Sequence, residues 1–324
     1  NGMVYAMDGA GIISAHHAEE INKIYWQSDA IAHHDDDDDE TVLLGGGLAW
    51  ANNTLFAASD EGKIAAFSAS DGTQRWLKEL KLPIRSEPRV AGKLVLILTA
   101  DNQLMALRQS TGELVWSHRG ISEIAGKWHT ASPAVRDGAM VVSYSSGEIF
   151  ALELENGNPL WNDNLAGSGP DSSDPATFHT VAPIMASGLS FAGSSSVMTT
   201  FETDNGRRLW ERKISSRSAP WLAGNYLFTL TTDNQLAAVR GIDGVVPWVE
   251  TLASGEENLR WFGPVVAGGQ IWLANNQGEL TAFSAQNGKP SLTIDIPDGV
   301  LASPVIAGQN MYLLTQDAKL VRLK

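Results

Sequence analysis

The densest set of potential ligating side chains in this 324-residue chain is the run His33-His34-Asp35-Asp36-Asp37-Asp38-Asp39-Glu40. Imidazoles beside carboxylates could hold a hard cation or a His-bound metal. A calcium loop, however, spaces its oxygens and carries a Gly that turns the chain, and a uniform acidic block does neither. Adjacent like charges repel, so the run reads as an extended solvated loop, with weak cation binding as the alternative left open. His16-His17 lies on a strand-patterned segment, where neighbouring side chains face opposite sides and do not chelate together. Gly45-Gly46-Gly47 reads as a turn at a strand edge, and no phosphate-binding glycine loop or Ser/His/Asp grouping is found. Cys is absent, which removes disulfides, zinc–thiolate sites and Cys nucleophiles. Catalytic, cofactor-binding and metal-binding residues are therefore all assigned as none.

Eleven Trp and 31 Gly are the unusual entries in the composition, and both are periodic. A Gly stands four residues before a Trp at Gly72/Trp76, Gly112/Trp116, Gly157/Trp161, Gly206/Trp210 and Gly244/Trp248. One further copy keeps Gly288 with Leu292 in the Trp slot. Another keeps Trp26 with Asn22 in the Gly slot, Asn being the next residue able to take positive φ. Short alternating segments such as Lys63–Phe67, Gln103–Leu107 and Glu148–Leu152 precede the pairs and read as strands. Asp71-Gly72, Asn156-Gly157 and Asn287-Gly288 supply hairpin turns. Further upstream each copy carries a Pro followed by a Gly turn, as in Pro88/Gly92, Pro133/Gly138 and Pro220/Gly224, which suits the start of a strand.

Each unit is thus a four-stranded antiparallel meander of about 40 residues, too small to bury both of its faces alone; joining such units into a propeller solves that. The expected fold is all-β, one eight-bladed β-propeller domain over residues 1–324. Blade 1 would lack its first strand and blade 8 its outer strand, the latter supplied from residues upstream of Asn1. Trp26, Trp76, Trp116, Trp161, Trp210 and Trp248, one per blade, are assigned as structural anchors between blades, each indole N–H on a neighbouring carbonyl. Trp221 and Trp272 fall within strand patterns and are expected in the core, whereas Trp128 and Trp261 lie beside loops. The net charge of −14 argues against nucleic acid and anionic lipid as partners. No apolar run reaches the roughly 18 residues of a membrane helix.

The segment Ala66-Phe67-Ser68-Ala69-Ser70-Asp71-Gly72-Thr73-Gln74-Arg75-Trp76 resembles the docking repeat of pyrroloquinoline-quinone-type propellers. Within that superfamily the whole chain is similar to the BamB family, the propeller lipoproteins of the outer-membrane β-barrel assembly machinery. The resemblance implies a non-catalytic scaffold in the periplasm, associated with the outer membrane through an N-terminal lipidated Cys that this chain lacks. Its implied partners are the periplasmic domains of the barrel-inserting subunit, with unfolded outer-membrane proteins as a further class, and no cofactor is implied. Two alternatives remain at this point: a quinone-dependent periplasmic dehydrogenase, and a propeller serving another periplasmic partner. The dehydrogenase reading would need a calcium site, a catalytic Asp and usually a vicinal Cys pair, and Cys is missing.

In the family a partner-binding loop with an apolar-apolar-Arg patch corresponds to the stretch from Trp116 to Pro133. Here it reads Ile124-Ala125-Gly126-Lys127-Trp128-His129, with Trp128 at the Arg position and the cation at Lys127. The next long connection, Asn162 to Thr180, lacks the family's paired Asp pattern but contains Asp171 and Asp174. The expected partner-binding set is Ile124, Lys127, Trp128, Asp174 and Phe178, with Trp128 as anchor and Lys127 meeting a carboxylate. In the alternative, Trp128 folds onto Phe178 and merely covers the blades.

Overall fold

A computed structural model describes residues 2–32, 46–122, 131–166, 178–252 and 259–324. Every regular element among them is a β-strand. Blade 1 holds β1 (Met3–Met7), β2 (Ile13–His17) and β3 (Ile24–Ser28), and blade 2 holds β4 (Gly46–Ala51), β5 (Thr54–Ser59), β6 (Lys63–Ser68) and β7 (Gln74–Glu79). Blade 3 is β8 (Arg89–Ala91), β9 (Leu94–Leu98), β10 (Gln103–Arg108) and β11 (Leu114–Arg119). Blade 4 is β12 (Ala134–Arg136), β13 (Ala139–Ser143), β14 (Glu148–Glu153) and β15 (Pro159–Asn164). Blade 5 is β16 (Thr180–Ala186), β17 (Leu189–Ser194), β18 (Met198–Glu202) and β19 (Arg208–Arg212). Blade 6 is β20 (Trp221–Ala223), β21 (Tyr226–Leu230), β22 (Gln235–Arg240) and β23 (Trp248–Thr251). Blade 7 is β24 (Trp261–Ala267), β25 (Gln270–Asn275), β26 (Glu279–Ser284) and β27 (Pro290–Asp295), and blade 8 is β28 (Val305–Ala307), β29 (Asn310–Leu314) and β30 (Leu320–Leu323). Each sheet is an antiparallel meander in chain order, and the fold is an all-β, eight-bladed β-propeller. The chain divides into two compact units, Asn1–Pro183 and Ile184–Lys324.

In the first unit the apolar cores lie between consecutive blades. Phe56, Ile64 and Trp76 of blade 2 pack with Ile84, Val95, Ile97 and Leu107 at blade 3. Leu96, Leu98, Leu104 and Trp116 of blade 3 pack with Met140, Val142, Tyr144 and Leu152 of blade 4. The middle strands are apolar through most of their length because neighbours cover both of their faces; β5 (TLFAAS) is buried throughout. Outer strands differ. In β7 only Trp76 is buried.

The register explains the outer strands. Across the sheet Trp26, Trp76, Trp116 and Trp161 face Ala15, Ala66, Ala106 and Ala151, small partners that leave room for an indole. One residue further on, the ladder carries a bulge in blades 1, 2, 3, 4, 5 and 7, which increases the local twist where the strand turns to its neighbour. The indoles of Trp26, Trp76 and Trp116 then reach the following blade. Trp26 Nε1 donates to Ala69 O at 3.1 Å, Trp76 to Gln109 O at 2.8 Å and Trp116 to Leu154 O at 3.0 Å. The ring lies on the Gly three residues beyond that carbonyl. A methyl group on Gly72, Gly112 or Gly157 would come within 2.7 Å, 2.7 Å and 2.5 Å of the facing indole.

The second unit repeats the device. Trp210 Nε1 donates to Gly241 O at 2.8 Å over Gly244, and Trp248 Nε1 to Ala285 O at 3.2 Å over Gly288. The recurring Gly therefore contacts the Trp of the preceding blade, not the Trp four residues after it. Trp26, Trp76, Trp116 and Trp210 are buried, whereas Trp161 and Trp248 are half-buried.

Two expectations need correction. Trp221, placed in the core by its strand pattern, is 38% exposed on the three-residue β20. Trp272 on β25 is half-buried and does pack against the core around Ala274, Leu280 and Leu313, its Nε1 on Ala267 O. Gly46 and Gly47 are not a turn but begin β4, paired with Ser59 and Ala58. Methyl groups there would strike the Ala58 carbonyl at 2.1 Å and Glu87 Cγ at 2.7 Å, so the glycines allow close approach rather than reversal.

Replacing Trp76 by Ala should cost about 3–5 kcal/mol in urea unfolding, the range for emptying an aromatic core site. Gly112→Ala tests the other half of the contact. It forces a side chain onto φ +69° and into the Trp76 ring, whereas Gly92→Ala meets φ +56° with open space. Both changes incur backbone strain of about 1–3 kcal/mol, but Gly112→Ala should be clearly the worse. Equal losses would remove the ring contact as the reason for the glycine.

Candidate docking face

The expected docking residues Ile124, Lys127, Trp128 and Asp174 lie outside the described residues, as does the acidic run from His33 to Glu40. Phe178 is described and buried just ahead of β16. The roots of both connections are described, and they converge on one turn of blade 4, the residues Tyr144 to Gly147 between β13 and β14.

The first connection leaves β11 at Arg119. Gly120 passes over the Tyr144 ring so closely that a methyl group would sit 2.6 Å from its Cδ2. Gly120 N donates to Asn102 O at 3.0 Å. Both polar groups of Ile121 are then clamped: its carbonyl accepts from Asn102 Nδ2 at 2.7 Å, and its N–H donates to Glu148 Oε2 at 2.5 Å. Asn102 itself is buried at φ +62°, and its Oδ1 accepts both the N–H and the hydroxyl of Ser145 at 3.1 Å. The Glu148 carboxylate also accepts from Ser146 Oγ at 3.0 Å. The clamp leaves the Ile121 side chain 62% exposed.

The second connection uses the same turn. Leu165 N donates to Gly147 O at 2.8 Å as the chain leaves β15. On its return, Thr180 Oγ1 donates to Tyr144 O at 3.3 Å. The first loop re-enters at buried Ala131, and Ser132 Oγ donates to Glu87 O at 2.9 Å.

Beneath the turn lies a polar pair in an apolar setting. The Tyr144 side chain is fully buried, and burial, reinforced by the Glu148 charge, pushes its phenol far above the ordinary value. Burial lowers the His118 pKa, against the Glu148 charge, which raises it. His118 Nδ1 and Tyr144 Oη share a hydrogen bond at 2.6 Å. The imidazole stacks on the Tyr144 ring at 5.8 Å and tilts against Phe150 at 4.6 Å. This arrangement orders a surface; the phenol is sealed away from any reactant.

Asn102, Gly120, Tyr144 and Glu148 were not singled out by sequence reasoning. Asn102 in the Asp-Asn turn after Thr99 was the one readable hint, since Asn takes φ > 0 and bonds backbone through its side chain. The expected-unlikely His pair is separately engaged: His16 bonds Ile21 O and Ser14 Oγ, and His17 Nδ1 accepts from the N–H groups of Glu19 and Glu20. Among the described residues no group of three or more His, Asp or Glu side chains is placed to hold a metal ion.

Comparison with known proteins places this architecture. A protein described as outer membrane protein assembly factor BamB, from Yersinia pestis, is 23% identical over 315 residues, covering 96% of this chain and 79% of that one. The crystal structure of BamB from Moraxella catarrhalis superposes with a TM-score of 0.84 at 20% identity, over 99% of this chain and 93% of the other. A quinohemoprotein alcohol dehydrogenase from Pseudomonas putida shares the fold at a TM-score of 0.72, with 12% identity, over 97% of this chain and 68% of its own. The family described as outer membrane protein assembly factor BamB matches residues 9–250 and 252–324, and the chain belongs to that family.

Proposed function

We propose that the chain is a single-domain, non-catalytic periplasmic scaffold of the outer-membrane β-barrel assembly machinery. In this reading it binds the barrel-inserting subunit through the connections from blade 3 to blade 4 and from blade 4 to blade 5. Family membership supports the assembly role, and the relatives named assembly factors support it further. The observation that carries the docking site is the shared base: the Tyr144–Gly147 turn and Glu148 fix the roots of both connections at once. Loops on a rigid base lose less freedom on binding than loops that must first be ordered. The apolar–cation–aromatic group Ile124, Lys127 and Trp128 supplies the anchor chemistry, Asp174 a neighbouring charge, and buried Phe178 the support. The likeness to the alcohol dehydrogenase, at 12% identity, concerns the fold alone.

Purified chain should bind the periplasmic domains of the barrel-inserting subunit. The double change Lys127→Glu with Trp128→Ala, folded by thermal melting, should weaken that binding about tenfold or more. Unchanged affinity in the folded double variant moves the site elsewhere on the propeller, and no binding by the parent chain points to another partner. Glu148→Ala removes the carboxylate acceptor of Ile121 N–H, a bond to a charged group worth about 1.5–3 kcal/mol. It should speed dissociation at nearly unchanged melting temperature, and Glu148→Gln, which keeps an acceptor oxygen, should restore slow dissociation.

A further inference from the structure

The turn that meets the preceding Trp carries Asn before its Gly in blades 4, 5 and 7: Asn156-Gly157, Asn205-Gly206 and Asn287-Gly288. Asn before Gly readily loses its side-chain amide, because no side chain keeps the Gly nitrogen from the Asn carbonyl carbon. The Gly N–H is held alike in all three turns, on Glu153 O and Glu202 O at 2.9 Å and on Ser284 O at 2.8 Å. The Asn side chains are held differently. Asn156 is fixed at both ends, Oδ1 accepting from Asn158 N at 2.8 Å and Nδ2 donating to Glu153 Oε2 at 2.6 Å. Asn205 copies it, Oδ1 accepting from Arg207 N at 2.8 Å and Nδ2 donating to Glu202 Oε2 at 2.9 Å. Asn287 keeps only the first bond, from Lys289 N at 3.1 Å, because blade 7 has Ser284 where blades 4 and 5 have Glu.

Asn287 is exposed, and its turn has room to move. A cleft of about 500 Å³, lined by Ala285 and Gln286 of the same turn, opens against Pro247 and Trp248 of blade 6. In blade 2 the residue before the Trp is Arg75, anchored on Thr54 Oγ1 at 2.6 Å and Asn53 O at 3.2 Å. Pro247 takes that place in blade 6 and is too short to reach across. Trp248 is accordingly half-buried, where Trp76 is buried.

We propose that Asn287 is a deamidation site of the folded chain, the first to react of the three equivalent Asn-Gly turns. Gly288 N attacks Asn287 Cγ, and the new N–Cγ bond closes a five-membered succinimide. The Cγ–Nδ2 bond breaks, and the amine leaves as ammonia with the proton from Gly288 N. Water then opens the ring at either carbonyl, giving aspartate or isoaspartate. Ring closure breaks one side-chain bond at Asn287 but two at Asn156 and Asn205, one of them to a carboxylate. Aspartate suits the turn, since Asp71 and Asp243 fill the same slot in blades 2 and 6. Isoaspartate adds a methylene to the main chain beneath the Trp248 ring, two residues from the Ala285 carbonyl that holds the indole. The site is independent of the connections of blades 3 to 5 and of any partner they dock.

The test ages the full folded chain in mildly alkaline buffer and follows each Asn-Gly peptide by mass spectrometry after proteolysis. Asn287 should convert about tenfold faster than Asn156 or Asn205, the effect of one further charge-assisted bond. In denaturant the three rates should converge, because each Asn precedes Gly. Ser284→Glu supplies the missing carboxylate and should slow Asn287 to the rate of the other two. Glu153→Ser is the converse change and should speed Asn156. Aged chain rich in isoaspartate at 287 should melt lower than freshly purified Asn287→Asp. Equal rates at the three sites of the folded chain, or rates unmoved in both folded variants, overturn the proposal; unchanged melting of the aged chain overturns its effect on the Trp248 contact.

Discussion

The structure depends on an indole lying on a glycine of the next blade. An isolated four-stranded meander has two apolar faces and no means of covering either. The Trp–Gly contact covers one of them, and the indole N–H on a carbonyl three residues before the Gly fixes the register of the two blades. A burial term alone would let blades slide, because the hydrophobic effect has no direction. The hydrogen bond supplies the direction. The contact needs Gly twice over: a side chain would strike the ring, and the turn holds positive φ, as at Gly112 with φ +69°. Asp or Asn before that Gly completes the turn through its own side chain, as Asp71 Oδ1 does for Thr73 N and Asn156 Oδ1 for Asn158 N.

This is why so much of the fold was legible. Trp, Gly and the Asx residue serve a local geometry that recurs from blade to blade, with Thr111 in the Asx slot of blade 3 and Leu292 in the Trp slot of blade 7, so one strong pattern repeats along the chain. The partner assignment was not legible, because spacing within one repeat suggests that Gly72 goes with Trp76, while Gly72 in fact meets Trp26. Trp221 was misplaced for a related reason. Strand pattern predicts burial only where both faces are covered, and β20 is a three-residue first strand with β21 on one side. Gly46 and Gly47 look like a reversal in sequence but admit the Ala58 backbone and the Glu87 side chain. A close approach of that kind has no signature in one strand alone.

The loop roots were the least legible part. Asn102 acts on Ile121, 19 residues later, and Glu148 acts on it from 27 residues downstream. Each looks like an ordinary polar residue at a strand end. Tyr144 and Gly120 match only because Tyr144 ends β13's path at the point where Gly120 crosses it, and neither residue belongs to the Trp–Gly repeat. Side-chain chemistry that depends on a single long-range meeting leaves no periodic trace.

The two ends of a blade therefore do different work. Antiparallel strands place the turn after the second strand and the turn after the third at opposite ends of the sheet. The Trp–Gly contact occupies the second of these, at Gly72, Gly112 and Gly157 in the first unit. The loop clamp occupies the first, at Asn102 and at Tyr144 to Glu148. Sequence change in the connections acts on the clamp end and leaves the inter-blade lock untouched. A propeller built this way can vary the connections between its blades without altering what holds the blades together.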